Sequence, residues 1–209
     1  MYSIEKKERY KKVIAKKRNE LDNADLYLKE IVRFHNKDKL EDIIKEINYE
    51  ALKSKYVWAL FGKINEEDEV CLQVGAGINI KDEIKYDINM MYCECDLISK
   101  LNKGLKIKSK NTQFYENVYK INYGDDKNRY IYRKIRQEYE ELIFYAIDID
   151  VYLEIKDFKC DNITVNNILD LSKIYYAETK FAYETQAIYW NVFRSGIGVE
   201  TLKILLNEE

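Results

Sequence analysis

The chain has 209 residues, 34% charged and 46% hydrophobic, with a formal net charge of −2. That composition predicts one folded domain large enough to bury a core, and it excludes a disordered polyelectrolyte. No apolar run approaches the roughly 18 residues of a membrane span, and the basic opening MYSIEKKERYKK leads into no apolar segment, so neither a membrane anchor nor a secretory signal is expected.

Four cysteines, Cys71, Cys93, Cys95 and Cys160, are irregularly spaced. They read as free thiols in a reducing compartment, which predicts a cytoplasmic protein. Proline is absent, and tyrosines outnumber phenylalanines 19 to 7. Average proline usage of ~5% makes its absence notable. The codons of Lys, Asn, Ile and Tyr are AT-rich, which points to an AT-rich bacterial or phage genome. A chain without proline also predicts helices without kinks.

In chain order, Tyr10, Ile14, Leu21, Ala24, Leu28 and Val32 recur at steps of three, four and seven, predicting a long helix from Ile4 to about Phe34. Its first 20 residues carry eight Lys or Arg against three Glu, a face that is either solvated or set to grip phosphates or an acidic partner. HNKD at 35–38 breaks the pattern, and Leu40, Ile43, Ile44, Ile47 and Ala51 predict a second helix. YVWALFGKI (56–64) and VCLQVGAG (70–77) are short, β-branched and aromatic, and read as an antiparallel hairpin. After GAGIN, the stripe Ile80, Ile84, Ile88, Met91 predicts a helix.

NVYKI (117–121) is a strand candidate, and Gly124-Asp125-Asp126 is placed to cap a helix over about 127–140. LIFYAIDID (142–150) predicts a strand. The last long helix is expected from about Val165 to Phe193, with Ile168, Leu171, Tyr175, Ala182, Thr185, Tyr189 and Val192 inside. Ser195-Gly196 would stop it, and a short helix at 199–206 would follow. The fold class is therefore α+β: a small antiparallel or mixed sheet with a central β-hairpin, flanked by long N- and C-terminal helices. Residues 1–209 form a single domain, with a helical extension at 1–54 and an α+β core at 55–209. That core carries an insertion at about 104–141.

Residue chemistry narrows the function classes. Cys93-x-Cys95 lacks zinc spacing and His35 lies in a polar break, so neither a zinc site nor a histidine triad is expected. Gly75 and Gly77, with Asn79 opening the following helix, would permit a tight turn whose amides face an anion, though without a third glycine or a GK[ST] element. If IDIDVYLEIKD stayed extended, Asp148, Asp150 and Glu154 would share one face as divalent-metal ligands, or simply as a half-solvated edge. Arg129, Arg133 and Arg136, with Lys134 nearby, lie at helical spacing and could track a phosphate backbone.

The order of hairpin, glycine turn, helix, strand and glutamate-bearing helix resembles the GIY-YIG nuclease family. Gln73-Val74-Gly75 in VGAGINIKDEI lies where the YIG tripeptide would be, and Gly75, Asn79 and Ile80 match the family's VGxxxNLxxRL run. The resemblance makes YVWALF the first strand and LIFYAIDID the third, with Tyr56 near the first tripeptide. It places Glu184, in YETQAIYWN, at the metal position, with Glu178 as the other choice. The family's second tyrosine is Gln73 here, and its arginine, eight residues past the glycine, is Glu83. A carboxylate beside a developing phosphate charge inverts the main electrostatic contribution to catalysis.

The resemblance therefore implies a catalytically altered module that contacts nucleic acid or a nucleic-acid-processing enzyme. The first alternative is an active metal-dependent endonuclease, using Mg or Mn at Glu184 or at the Asp148/Asp150/Glu154 row. The second is a protein-binding inhibitor or scaffold acting through its N-terminal helix, and then a possible homodimer.

Overall fold

The computed structural model describes residues 16–63, 68–93, 123–156 and 171–190. These form an α+β structure around one four-stranded antiparallel sheet of order β1-β4-β2-β3. A 3-10 turn (Arg18–Glu20) and α1 (Ala24–Tyr27) lead into β1 (Leu28–His35), then α2 (Leu40–Glu46), β2 (Val57–Lys63) and β3 (Glu69–Ala76). Next come α3 (Ile80–Tyr92), α4 (Tyr123–Glu138), β4 (Glu141–Ile147), α5 (Ile149–Ile155) and α6 (Leu171–Thr185).

The predicted hairpin is present as β2 and β3, with a bulge between Leu60 and Phe61. The helix after the glycine turn is present as α3, where the Asn79 side chain accepts from the Asp82 amide as an N-cap. Both central strands, β2 and β4, are covered on both faces, which explains their continuous apolar runs. Leu60, Phe144 and Ala146 face one side, with α2, α3 and α4 packed on them. Ala59, Phe61, Ile143 and Tyr145 face the other, under α1, α5 and α6.

Several expectations are corrected. Within the described part of 4–34, the long helix gives way to the 3-10 turn, one turn of α1 and strand β1. β1 pairs with β4 from Leu28↔Ile147 to His35↔Glu141, so these residues belong to the sheet and not to a helical extension. A bulge between Glu30 and Val32 turns Ile31 and Val32 into the same cluster, while Leu28 faces the other. That irregularity imitates helical spacing in the sequence. The stripe residues Leu21, Ala24, Leu28 and Val32 are buried within the chain, while Tyr10 and Ile14 lie outside the described residues.

β4 ends at Ile147, where IDIDVYLEIKD turns helical instead of staying extended. The Asp148 side chain accepts from the Val151 amide and caps α5. On α6, Leu171 and Tyr175 point outward; Ile174, Ala177, Phe181 and Thr185 point inward. The helix stops at Thr185 because Gln186 adopts a left-handed φ of 52°. Ala187 N–H then bonds Ala182 O and Gln186 N–H bonds Tyr183 O, a Schellman closure. α4 begins at Tyr123, ahead of its expected cap. The strand at 117–121, Ile168, Val192, the stop at 195–196 and the helix at 199–206 lie outside the described residues.

Both sheet edges are partly covered. Asn48 N–H donates to Ile31 O at the β1 bulge, 2.7 Å away. On the β3 edge, Ile188 and Tyr189 N–H donate to Cys71 O and Leu72 O at 3.1 and 2.8 Å, and Lys17 bridges Val70. Among the described residues no helix is long and apolar enough to cross a membrane.

Candidate functional site

The glycine turn after β3 is filled by the chain's own side chains. A Cβ at Gly75 would collide with the Trp58 indole, and one at Gly77 with the Glu83 carboxylate. Glu83 also accepts a hydrogen bond from Trp58 Nε1, at 3.1 Å, so one carboxylate pins α3 to β2 and to the turn. A negative charge already lies over Gly77. The anion cradle expected at Gly75, Gly77 and Asn79 is closed, and like charge would repel a phosphate there.

One turn further along α3, Asp87 sits inside the apolar stripe. It is 6% exposed and hydrogen-bonded to the Tyr132 hydroxyl of α4. Burial pushes its carboxyl well above the usual range; the Tyr132 bond opposes that shift, and the neighbouring Glu83 charge adds to it. Tyr132 is raised in turn, by burial first and then by Asp87. Asp87 Oδ2 and the Oε1 of buried Gln73 have no hydrogen-bond partner. In the sequence, Asp87 is legible only as a polar residue between Ile84 and Ile88.

Glu184 lies on the other face of the sheet. Its Oε2 accepts from the Tyr152 hydroxyl at 2.9 Å, and its Oε1 is 2.6 Å from Lys156 Nζ. Lys156 Nζ is also 3.5 Å from Asp22, so an ammonium stands between the two carboxylates where a cation would be needed. Burial alone would lower Lys156; hydrogen bonding and charge from Glu184 raise it. Gly75 meets Trp58 in one core cluster and Glu184 meets Tyr152 at the other, so the sheet lies between them. The donor set at Glu184 does not fit Mg or Mn. Among the described residues no three His, Cys, Asp or Glu side chains gather closely enough to hold a metal ion.

The other candidates are dispersed. Asp148 pairs with Lys55 and Asp150 with Lys173, while Glu154 is exposed, so these three do not form a row. Glu178 is buried and accepts from Trp190 Nε1. Tyr56 packs against the α5/α6 cluster, and its carbonyl accepts from Gly77 N–H at 2.9 Å. Arg136 is committed internally: Nε donates to Asn36 O at 2.7 Å and the guanidinium lies 3.7 Å from the Tyr92 ring centroid. Arg133 is exposed and Lys134 half-exposed, whereas the Arg129 side chain lies outside the described residues. Burial pushes the Cys71 thiol up to about 12, which keeps it protonated and unreactive; Cys95 and Cys160 are outside the described residues.

Two surface features escaped the sequence reading. Lys81 and Lys85 converge on the half-exposed Tyr49 ring, at 4.4 and 5.4 Å from its centroid. The outer face of α6 presents Tyr175, Tyr176 and Tyr183, with Lys180 5.8 Å from the Tyr176 ring. The excess of tyrosine over phenylalanine was the available signal, because a phenol keeps its polar tip in water. Comparisons with protein-family models, curated proteins and solved structures find no match.

Proposed function

We propose that the chain is a non-hydrolytic module that binds nucleic acid through its surface. The observation that carries this reading is the pairing of outward cations with exposed tyrosines: Lys81 and Lys85 over Tyr49, and Lys180 beside Tyr176. Ammonium groups held at aromatic rings offer phosphate contacts and base contacts together. Arg133 and Lys134 on α4 add phosphate contacts. The carboxylates to which the nuclease resemblance gives weight are spent internally, Glu83 on Trp58 and Glu184 on Lys156 and Tyr152. That closure favours binding over an active endonuclease.

The test is titration of fluorescein-labelled oligonucleotides at several salt concentrations. Affinity should fall linearly with salt on logarithmic axes, and Lys81→Ala with Lys85→Ala should reduce the slope by about two. Absence of binding at low salt overturns the reading. Plasmid nicking in Mg or Mn that disappears in Glu184→Ala would replace it with the endonuclease.

A further inference from the structure

We propose that the outer face of α6 is a stacking platform for the bases of single-stranded nucleic acid, an inference that rests on the nucleic-acid reading above. Tyr175 and Tyr183 are 51% and 71% exposed, and Tyr176 is exposed beside them. Positions 175, 179 and 183 follow one another at i+4, while 176, 180 and 183 follow at i+4 and i+3. One face therefore gathers all three tyrosines with Lys180. Both acidic residues of the helix turn away: Glu178 is buried, and Glu184 is held by Lys156 and Tyr152. The charged side chain set among the tyrosines is the cation of Lys180, half-exposed beside the Tyr176 ring. That complementarity fits a polyanion.

Geometry selects a single strand. The helical rise puts Tyr175 and Tyr183 about 12 Å apart along the axis. Neighbouring bases in a duplex strand are ~3.4 Å apart and have both faces occupied. Rings so widely separated take bases splayed from one another, which an unpaired strand presents and a duplex does not. Stacking on aromatic side chains tolerates any base, so affinity without strong sequence preference is expected.

The experiment compares binding of a labelled oligothymidylate and a blunt duplex of the same length to three proteins: the full chain, Tyr175→Ala with Tyr183→Ala, and Tyr175→Phe with Tyr183→Phe. Circular dichroism and thermal melting verify the fold, which exposed positions leave intact. The wild type should prefer the single strand. The alanine pair should lose about fivefold or more per ring, and the phenylalanine pair should retain affinity. The alanine pair should keep the wild-type salt slope, since no charge is removed, whereas Lys180→Ala should lower that slope by about one.

Equal affinity for duplex, an alanine pair that binds like wild type, or a loss shared by the phenylalanine pair overturns the platform and leaves the nucleic-acid reading standing. Failure of the wild type to bind either probe sinks both. A wild-type dimer that dissociates in the alanine pair would make this face a contact between copies and would also overturn it.

Discussion

The two faces of the sheet solve the same problem with different chemistry. The face under α2, α3 and α4 sets aliphatic side chains such as Ile43, Ile84, Ile88, Met91 and Ile135 beside rings such as Trp58, Tyr132 and Phe144, and encloses the carboxyl of Asp87 among them. The face under α1, α5 and α6 joins its rings into one connected chain. Tyr27 and Tyr152 lie 5.1 Å apart, Tyr152 and Phe181 5.5 Å at 77°, and Phe61 and Tyr145 5.4 Å at 88°. On that face the phenols reach carboxylates: Tyr152 bonds Glu184 and Tyr145 bonds Glu69. The contrast teaches where charge is tolerated. A carboxylate at the margin has a lysine or arginine within reach, whereas burial pushes the one enclosed by isoleucines well above the usual range.

Substitutions sharpen or break this contrast. Phe181 touches the Tyr27, Tyr152 and Phe61 rings, so Phe181→Ala should cost about 3–5 kcal/mol in urea unfolding. Ile84→Ala on the aliphatic face should cost about 2–5 kcal/mol. A larger loss at Ile84 than at Phe181 would show that the connected rings hold their face no more tightly than aliphatic packing holds the other.

Removing one partner of the half-hidden ion pair comes next. Lys156 and Glu184 are 14% and 17% exposed, so Lys156→Met should destabilise by about 3 kcal/mol, with Glu184 left facing Tyr152 alone. Lys53→Met, in a pair exposed by 70% and 77%, should change stability by less than ~0.5 kcal/mol. Equal effects at the two lysines would refute the distinction between margin and surface.

The pH dependence of stability tests Asp87. Its folded carboxyl is raised, so above the unfolded value near ~3.9 the native chain holds a proton that the unfolded chain has released. Stability then falls as pH rises, by about 1.4 kcal/mol per unit for one proton, up to the folded value. Glu141 and Asp148 act oppositely. Burial alone would raise each, but Arg33 and Lys63 hold Glu141 low and Lys55 holds Asp148 low. Their contribution is present above the unfolded value and is lost as pH falls through the folded one. Asp87→Asn should flatten the decline that sets in above the unfolded carboxyl value in thermal melts, leaving the acid limb intact. An unchanged slope would mean that Asp87 is ionised in the native chain. A modest gain is expected at the α6 terminus, where Gln186→Gly should stabilise by about 1 kcal/mol by relieving the left-handed residue. A melt no higher than wild type would count against that strain.

Much of the sheet was legible because its signals are local. The hairpin, the turn at Gly75 and Gly77, the Asn79 cap and the apolar run of β4 each lie within a few residues of sequence. β1 was not, because its bulge spaces Leu28, Ile31 and Val32 like a helix, and because its partner β4 lies more than a hundred residues away. α5 was hidden by the alternation Ile-Asp-Ile-Asp, which imitates a strand while Asp148 serves as a cap. At the candidate sites, the residue types around the glycine turn could be read, but their occupation by Trp58 and Glu83 could not. Nor could the pairing of Glu184 with Lys156, which joins two separate helices.

The hook at residues 187–189 has a consequence for handling the protein. It is laid along β3, whose free backbone would otherwise offer a template for another strand. A chain cut before Ala187 leaves that border open at Cys71 and Leu72, and such a fragment should form oligomers through exchanged or added strands where the longer chain remains dispersed. Any shortened version made for crystallisation or labelling should therefore keep Tyr189.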